Sequence, residues 1–234
     1  MSANDEILEI LKNALPTQMS VRFFDVFKGI PVTYEGKLLN VTSTQAVFQV
    51  HKYQATCLEV TRRAYIRCDA FPCIVQGNVL GVDFLNDIAI LGDLKYVKNS
   101  SMGNRSIVRV IPKENTPVEV SLKKRTLLGE MADLSISGIG VTTGKIYYDP
   151  KFFTLHSKAT LRFKLPIVKA PLNVSGILVN VRHERNTYRL GIRIQPDVYA
   201  KGYISQYIAQ RQVEIQRELQ LMHDLFVQLH SRGR

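Results

Sequence analysis

The chain has 234 residues, of which 45% are hydrophobic and 22% are charged. This composition is typical of a globular protein and excludes a disordered or fibrous one. We expect no membrane insertion, because no apolar run reaches the roughly 18 residues of a spanning helix. The acidic start MSANDEILEI lacks the pattern of a signal peptide, so a cytoplasmic location is expected.

The net charge of +11 is unevenly distributed. Residues 1–103 are balanced, whereas residues 104–200 hold 16 Lys and Arg against 7 Asp and Glu. Such an asymmetry indicates an anionic partner for the second half. From charge alone, a merely solubilising basic surface explains it equally well.

The chain opens with an amphipathic helix, predicted over residues 1–16 and ended by Pro16. Short apolar or alternating runs separated by turn residues then fill residues 17–98, which predicts an antiparallel barrel or sandwich. The polar segment KNSSMGN begins a linker, placed at residues 99–109. A second strand-rich block occupies residues 110–196.

A long helix is predicted over residues 197–234. Its apolar positions recur at spacings of four and three with one polar interruption, which forms a heptad-like seam. We interpret the seam as a surface that docks on this chain or on a partner, and a homodimer through this helix stays open. The seam residues are Ile208, Gln212, Ile215, Leu219, Met222, Phe226 and Leu229.

Two motifs in the basic half carry the candidate chemistry: Arg105-x-x-x-Arg109 after the linker, and Asp133-x-Ser135-x-x-Gly138 at a turn between strands. An arginine fork can hold phosphate oxygens or the O6 and N7 acceptors of guanine. A carboxylate suits the N–H edge of guanine, a serine can donate to phosphate, and a glycine permits a positive φ or a close backbone approach. Each motif alone is also consistent with solvated charges or a self-stabilised turn.

Taken together, the two motifs resemble the signatures of the PilZ domain family, and the resemblance extends over about residues 100–215. The layout, with a preceding β-domain and a trailing helix, is similar to the flagellar-brake YcgR-like proteins. The resemblance implies a mainly β protein with two antiparallel barrels, an N-terminal YcgR-N-like barrel and a C-terminal six-stranded PilZ barrel. In the family, the last strand commonly reads Gly-x-x-Phe, and here it is Gly191-Ile-Arg-Ile194.

The resemblance also implies that the ligand is cyclic di-GMP. Arg105 and Arg109 would grip phosphate and guanine, while Asp133, Ser135 and Gly138 would surround a guanine. Asn104 and Ser137 are additional candidates. The expected output is a ligand-induced interdomain change that signals through an unidentified protein partner, such as a flagellar motor component or another effector.

Other chemistry has little support in the sequence. The three cysteines form no Cys-x-x-Cys pair and the five histidines have no ligand spacing, so no metal site is expected. With no nucleophile elbow, phosphate-binding loop or acid–base pair, we expect no enzyme and no cofactor. DNA is not the expected partner, but a basic nucleic-acid-binding barrel is the alternative function, and an adaptor with a decayed site is a third reading.

Overall fold

The computed structural model describes residues 2–17, 19–98, 107–122, 125–144, 151 and 153–232. They form three α-helices, one short 3₁₀ helix and twelve strands within the described ranges. In chain order these are α1 (Ala3–Ala14), the 3₁₀ helix (Leu15–Thr17), β1 (Ser20–Phe27), β2 (Ile30–Val41), β3 (Gln45–Gln49), α2 (Lys52–Thr61), β4 (Arg63–Arg67), β5 (Ile74–Asp83), β6 (Ile88–Val97), β7 (Pro117–Leu122), β8 (Arg125–Ser135), β9 (Gly138–Gly144), β10 (Lys158–Phe163), β11 (Leu172–Glu184), β12 (Thr187–Gln195) and α3 (Val198–Arg232).

The chain divides into two compact units, each built on a closed six-stranded barrel. The first unit lies within Met1–Phe27, Pro31–Ser106 and Ile215–Arg234, and its strand order is β1-β2-β3-β6-β5-β4. The second unit lies within Lys28–Ile30 and Ile107–Glu214, and its order is β10-β11-β12-β9-β8-β7. The expected mainly β class with two antiparallel barrels is therefore confirmed.

The interior of the first barrel follows from the alternation along its strands. β1 buries every second residue, and β3 does the same with Ala46 and Phe48. Phe23 and Phe48, both fully buried, meet edge to face with their ring centroids 5.5 Å apart. A closed barrel with a large aromatic pair at its centre is a packed core and leaves no strand edge unpaired.

The predicted N-terminal helix is observed as α1. Ser2 caps it reciprocally with Asp5, since each side chain accepts from the other residue's backbone N–H. Ile7, Leu8 and Leu11 are buried on its apolar stripe. These contacts attach the helix to the first barrel, chiefly along β6.

Helix α2 has no counterpart in the sequence analysis, which assigned only strands and turns to residues 17–98. The helix buries polar Gln54 and Thr56 beside Ala55, Cys57 and Leu58. A helix whose buried face mixes polar and apolar residues shows no amphipathic stripe, so its period is hidden in the sequence.

Along strand β12 of the second barrel, residues that point into the core alternate with residues on the outer face. On β12, Leu190, Ile192 and Ile194 point into the core, while Arg189 and Arg193 lie on the outer face. Strand β12 pairs with β9 on one side and with β11 on the other. The outer face of β8, β9, β12 and β11 is the surface on which the candidate site is built.

The helical seam predicted for α3 is right in its middle and wrong at its end. Ile208, Ile215 and Leu219 are buried, but Leu229 is 64% exposed. A straight helix repeats every 3.6 residues and drifts by about 20° per heptad from a strict seven-residue repeat. The buried positions accordingly pass from Leu219 to His223.

Within the first unit, residues 215–232 of α3 pack by aromatic and polar contacts. The Phe226 ring stacks on Phe84 with centroids 4.8 Å apart. The Tyr53 hydroxyl donates to Gln220 Oε1 at 2.6 Å. This face of the helix therefore docks on its own chain. Across the part of the chain that the structure describes, none of the helices has the length and apolar character needed to cross a bilayer.

Candidate functional site

The segment that carries Arg109 is tied to the second barrel by backbone hydrogen bonds. Val110 and Leu134 exchange both bonds, each N–H donating to the other carbonyl at 2.9 Å. Val110 is fully buried. An antiparallel bridge of this kind holds Arg109 beside the end of β8, where Asp133 is located.

The carboxylate of Asp133 lies between two arginines. Arg109 Nη1 is 3.5 Å from Oδ1, and Arg189 Nη2 donates to Oδ2 in a closer contact. The Asp133 side chain is only 9% exposed, whereas both arginine side chains are more than a third exposed. One negative and two positive charges leave the cluster positive, which favours an anion.

A glycine makes the Asp133–Arg189 pair possible. Asp133 on β8 and Arg189 on β12 are separated by β9, where Gly140 is the Cα partner of Asp133. A Cβ on Gly140 would lie 2.6 Å from Asp133 Oδ2, so the carboxylate occupies the space of the missing side chain. The carboxylate can thus extend across β9 towards Arg189.

The turn at Ser135–Gly138 is closed by its own side chain. Ser135 is 2% exposed, and its hydroxyl donates to the Gly138 carbonyl at 3.0 Å. Gly138 does not have the positive φ that the sequence analysis offered as one reason for a glycine, and a Cβ there would come no closer than 3.4 Å to any atom. The backbone therefore does not demand glycine at this position.

A small cavity of about 240 Å³ opens beside this turn. Arg109 and Arg193 bring positive charge to it, and Gly138 and Gly191 contribute no side chain to its lining. Its lining residues are Arg109, Ser137, Gly138, Ile139, Val179, Gly191, Ile192 and Arg193. The guanidinium groups of Arg109 and Arg193 can donate hydrogen bonds to a phosphate or to a guanine edge in this cavity.

The floor of the site is a row of cross-strand partners. Asp133 faces Gly140, Gly140 faces Gly191, and Gly191 faces Asn180. Partners in such a row share one face of the sheet. Three strand spacings of about 4.8 Å therefore separate Asp133 from Asn180, with only glycines between them. Because the Asp133 carboxylate lies over Gly140, a flat ring can approach the backbone beside it, at Gly191.

The structure thus brings together Arg109, Asp133, Ser137 and Gly138, and it shows Ser135 bonded inside the turn. Arg105 and Asn104 lie outside the described residues. The sequence analysis included neither Arg189 nor Gly140 among the candidate site residues. The alternation Arg189, Gly191, Arg193 on the last strand is the signal that would have found the outer face.

The described residues contain no cluster of three or more His, Cys, Asp or Glu side chains that could hold a metal ion. The three cysteines are unbonded, and burial raises the pKa of the Cys57 and Cys68 thiols. Protonated thiols are poor nucleophiles and poor ligands.

Comparison with protein families finds one match: a model described as the PilZ domain matches residues 104–210. The matched range holds both motifs, the barrel that carries them and the first part of α3. It confirms the resemblance inferred for about residues 100–215. No curated protein matches the chain.

Several solved structures are similar to the whole chain. The K. pneumonia MrkH–c-di-GMP complex has 14% identity and a TM-score of 0.47, over 92% of this chain and 96% of that one. Escherichia coli YcgR in complex with c-di-GMP has 15% identity and a TM-score of 0.43, over 91% and 92%. The Bacillus subtilis inhibitor of motility, MotI/DgrA, has 10% identity and a TM-score of 0.41, over 84% and 97%.

Proposed function

We propose that this chain, which carries a PilZ domain over residues 104–210, is a receptor for cyclic di-GMP and not an enzyme. One observation carries the proposal. Arg109 Nη1 of the first motif and Asp133 Oδ1 of the second lie 3.5 Å apart on the outer face of one barrel, although the two residues are 24 positions apart in the sequence. The two motifs form a single site.

The chemistry of the site matches both parts of this ligand. Guanine offers N–H donors on one edge and the O6 and N7 acceptors on the other. Asp133 accepts from the first edge, and arginine donates to the second or to a phosphate. Cyclic di-GMP carries two guanines and two phosphates, so the positive site and the glycine floor suit it.

The proposed roles of Arg109, Asp133, Ser135, Ser137 and Gly138 follow from these positions, and those of Arg105 and Asn104 from the motif alone. Arg105 and Arg109 grip phosphate and guanine, and Asp133 reads the guanine edge. Ser135 fixes the turn, and in the bound state its hydroxyl turns to donate to the ligand. Gly138 leaves room for the base. Asn104 and Ser137 contribute polar contacts at the margin.

Calorimetric titration of the full chain with cyclic di-GMP tests the proposal. We expect saturable binding that weakens about ten- to hundred-fold in Arg105→Ala and in Arg109→Ala, since each removes a charged hydrogen-bond donor. Arg162→Ala is the matched control, because it removes an exposed arginine of the same barrel that pairs with Glu119. Absence of binding by the wild-type chain would refute the proposal.

The proposed output is a change in interdomain arrangement that is transmitted by contact with another protein, in a pathway of motility or surface behaviour. The arm from Arg105 to Arg109 joins the segment between the units to the ligand, so neutralising its charge couples binding to that segment. Small-angle scattering should change when ligand saturates the protein. Identical scattering curves with and without ligand would refute the interdomain change but not the binding of cyclic di-GMP.

The basic charge of the second unit supports one alternative, a nucleic-acid-binding barrel. Residues 104–200 carry an excess of nine positive charges. This alternative predicts salt-dependent mobility shifts with long oligonucleotides and no calorimetric response to cyclic di-GMP. A response to cyclic di-GMP that the arginine variants abolish favours the receptor instead.

The outer face of α3 supports a protein contact of its own. Leu221, Leu225 and Leu229 recur every four residues and are 62%, 58% and 64% exposed. Apolar side chains in line on one face suit a helix partner, either an effector or a second copy of this chain. Light scattering distinguishes the two, since Leu225→Glu should convert a dimer to a monomer.

A further inference from the structure

Arg189 makes the closest contact with Asp133, yet it belongs to neither motif. It lies on β12, where its Cα partners are Thr142 on β9 and Arg182 on β11. Its guanidinium reaches across β9 to Asp133 Oδ2. Arg182 and Arg189 are like charges on neighbouring strands, an arrangement that is unfavourable without a counter-ion. Asp133 supplies that counter-ion.

The two arginines hold Asp133 unequally. Arg109 Nη1 is 3.5 Å from Oδ1, which is at the limit of a hydrogen bond. Arg109 is also the last residue of the linker and lines the cavity, so it is placed to leave the carboxylate for a ligand. Arg189 sits in the middle of a paired strand and contacts the other oxygen more closely. Arg189 is therefore the lasting anchor of the carboxylate.

We infer that Arg189 is a positioning residue for guanine recognition, which holds the Asp133 carboxylate across Gly140 in the orientation that reads the guanine edge. The inference rests on the proposed function. A carboxylate accepts two parallel N–H bonds in one orientation, and an ion pair on one oxygen restricts its rotation away from that orientation. The same pair compensates the charge of a carboxylate that is nearly withdrawn from water.

The assignment predicts a change in base selectivity as well as in affinity. Adenine lacks the two N–H donors that guanine presents to a carboxylate, so a fixed Asp133 discriminates against cyclic di-AMP. Loss of the anchor frees Asp133 to turn away. The guanine ligand then loses an interaction that the adenine ligand never had, and the selectivity falls.

The experiment titrates cyclic di-GMP and cyclic di-AMP into the full chain and its variants. In Arg189→Gln we expect cyclic di-GMP to bind at least about ten-fold more weakly, with an equal fall in the selectivity ratio. Arg189→Lys keeps the positive charge and should therefore retain part of the cyclic di-GMP affinity and part of the selectivity ratio. Arg182→Gln is the matched control, since it removes the neighbouring charge on β11 and should change affinity by less than about three-fold.

A double-mutant cycle separates positioning from general electrostatics. In an Asp133→Asn background, Arg189→Gln should weaken binding by less than about three-fold, because the carboxylate that it positions is already gone. If the wild type binds cyclic di-GMP and Arg189→Gln binds it with less than ten-fold loss, or more tightly, this inference is overturned and the receptor stands. If the wild type does not bind, the receptor itself is refuted.

Discussion

The Asp133 carboxylate occupies the place that a side chain on Gly140 would fill, because a Cβ there would lie 2.6 Å from Oδ2. Asp133 can remain above β9 only if position 140 has no side chain. The residue that reads the ligand in our proposal therefore depends on a glycine outside both motifs.

Gly140→Ala and Gly138→Ala are expected to differ for this reason. Alanine at 140 must displace Asp133 from Arg189, so we predict at least a ten-fold loss of cyclic di-GMP affinity and a destabilisation of about 1–3 kcal/mol. Alanine at 138 meets no atom closer than 3.4 Å, so stability should change by less than about 1 kcal/mol. Its methyl group narrows the cavity and should still weaken binding.

Calorimetric titration and thermal unfolding of both variants check this pair. Equal stability losses at the two positions would contradict the assigned geometry. Normal affinity in Gly140→Ala would show that Asp133 does not need its present place.

Arg211 of α3 is a buried arginine that supports the site indirectly. Its side chain is 2% exposed, its Nε donates to the Ile111 carbonyl at 3.0 Å, and its Nη1 pairs with Glu214 at 3.1 Å. Ile111 follows Arg109 by two residues. Arg211→Met removes the donor, so we expect a destabilisation of about 1–3 kcal/mol, because the hydrogen bond to the Ile111 carbonyl and the ion pair with Glu214 are lost.

Hydrogen exchange is the sharper measurement for Arg211→Met. Amides of residues 107–112 should exchange faster in the variant, since one anchor of the segment is lost. Arg217→Met, an exposed arginine on the same helix, serves as the control and should leave the exchange unchanged. If the amides of residues 107–112 exchange at the wild-type rate in Arg211→Met, α3 does not hold this segment in place.

Asp25 makes the first unit sensitive to pH. Its side chain is 5% exposed, and burial raises its pKa to about 6, against hydrogen bonds from Val26 N–H and Thr61 that lower it. The Asp25 carboxyl therefore binds its proton more tightly in the folded state than in the unfolded state, where its pKa is near 3.8. The stabilisation that protonated Asp25 contributes to the folded state is fully present below about pH 4 and is lost as the pH rises through about 6.

Asp25→Asn should remove this pH dependence and raise the free energy of unfolding at pH 7 by up to about 3 kcal/mol. Denaturation curves between about pH 4 and 7 measure the slope, and Asp69→Asn provides an exposed aspartate for comparison. A wild-type protein whose stability rises over this range, with the same slope in Asp25→Asn, would contradict the prediction.

The docking of α3 in the first unit depends on Phe226. Its ring stacks on Phe84, which is 3% exposed. Phe226→Ala should cost about 1–3 kcal/mol and release the end of the helix, because a partly buried aromatic contact is removed. Leu225→Ala, at a neighbouring position that is 58% exposed, should cost less than about 0.5 kcal/mol. Chemical denaturation and exchange at residues 220–232 compare the two variants.

Local pattern alone determined much of this protein. Period-2 alternation indicated the strands, the stripe of Ile7, Leu8 and Leu11 predicted α1, and the two motifs carried the resemblance to the PilZ domain. These patterns can be read from the sequence because each depends on residues that are close together in the chain. The turn at Ser135–Gly138 is of this kind, since a single serine hydroxyl closes it.

Other features were decided only in three dimensions. Helix α2 was missed because Gln54 and Thr56 are buried among apolar residues, and Leu229 was misplaced because a straight helix drifts from a seven-residue repeat. The ion pair of Asp133 and Arg189 joins residues 56 positions apart across an intervening strand. Sheet register decides which side chains become neighbours at such a distance, and register follows from the closed barrel as a whole.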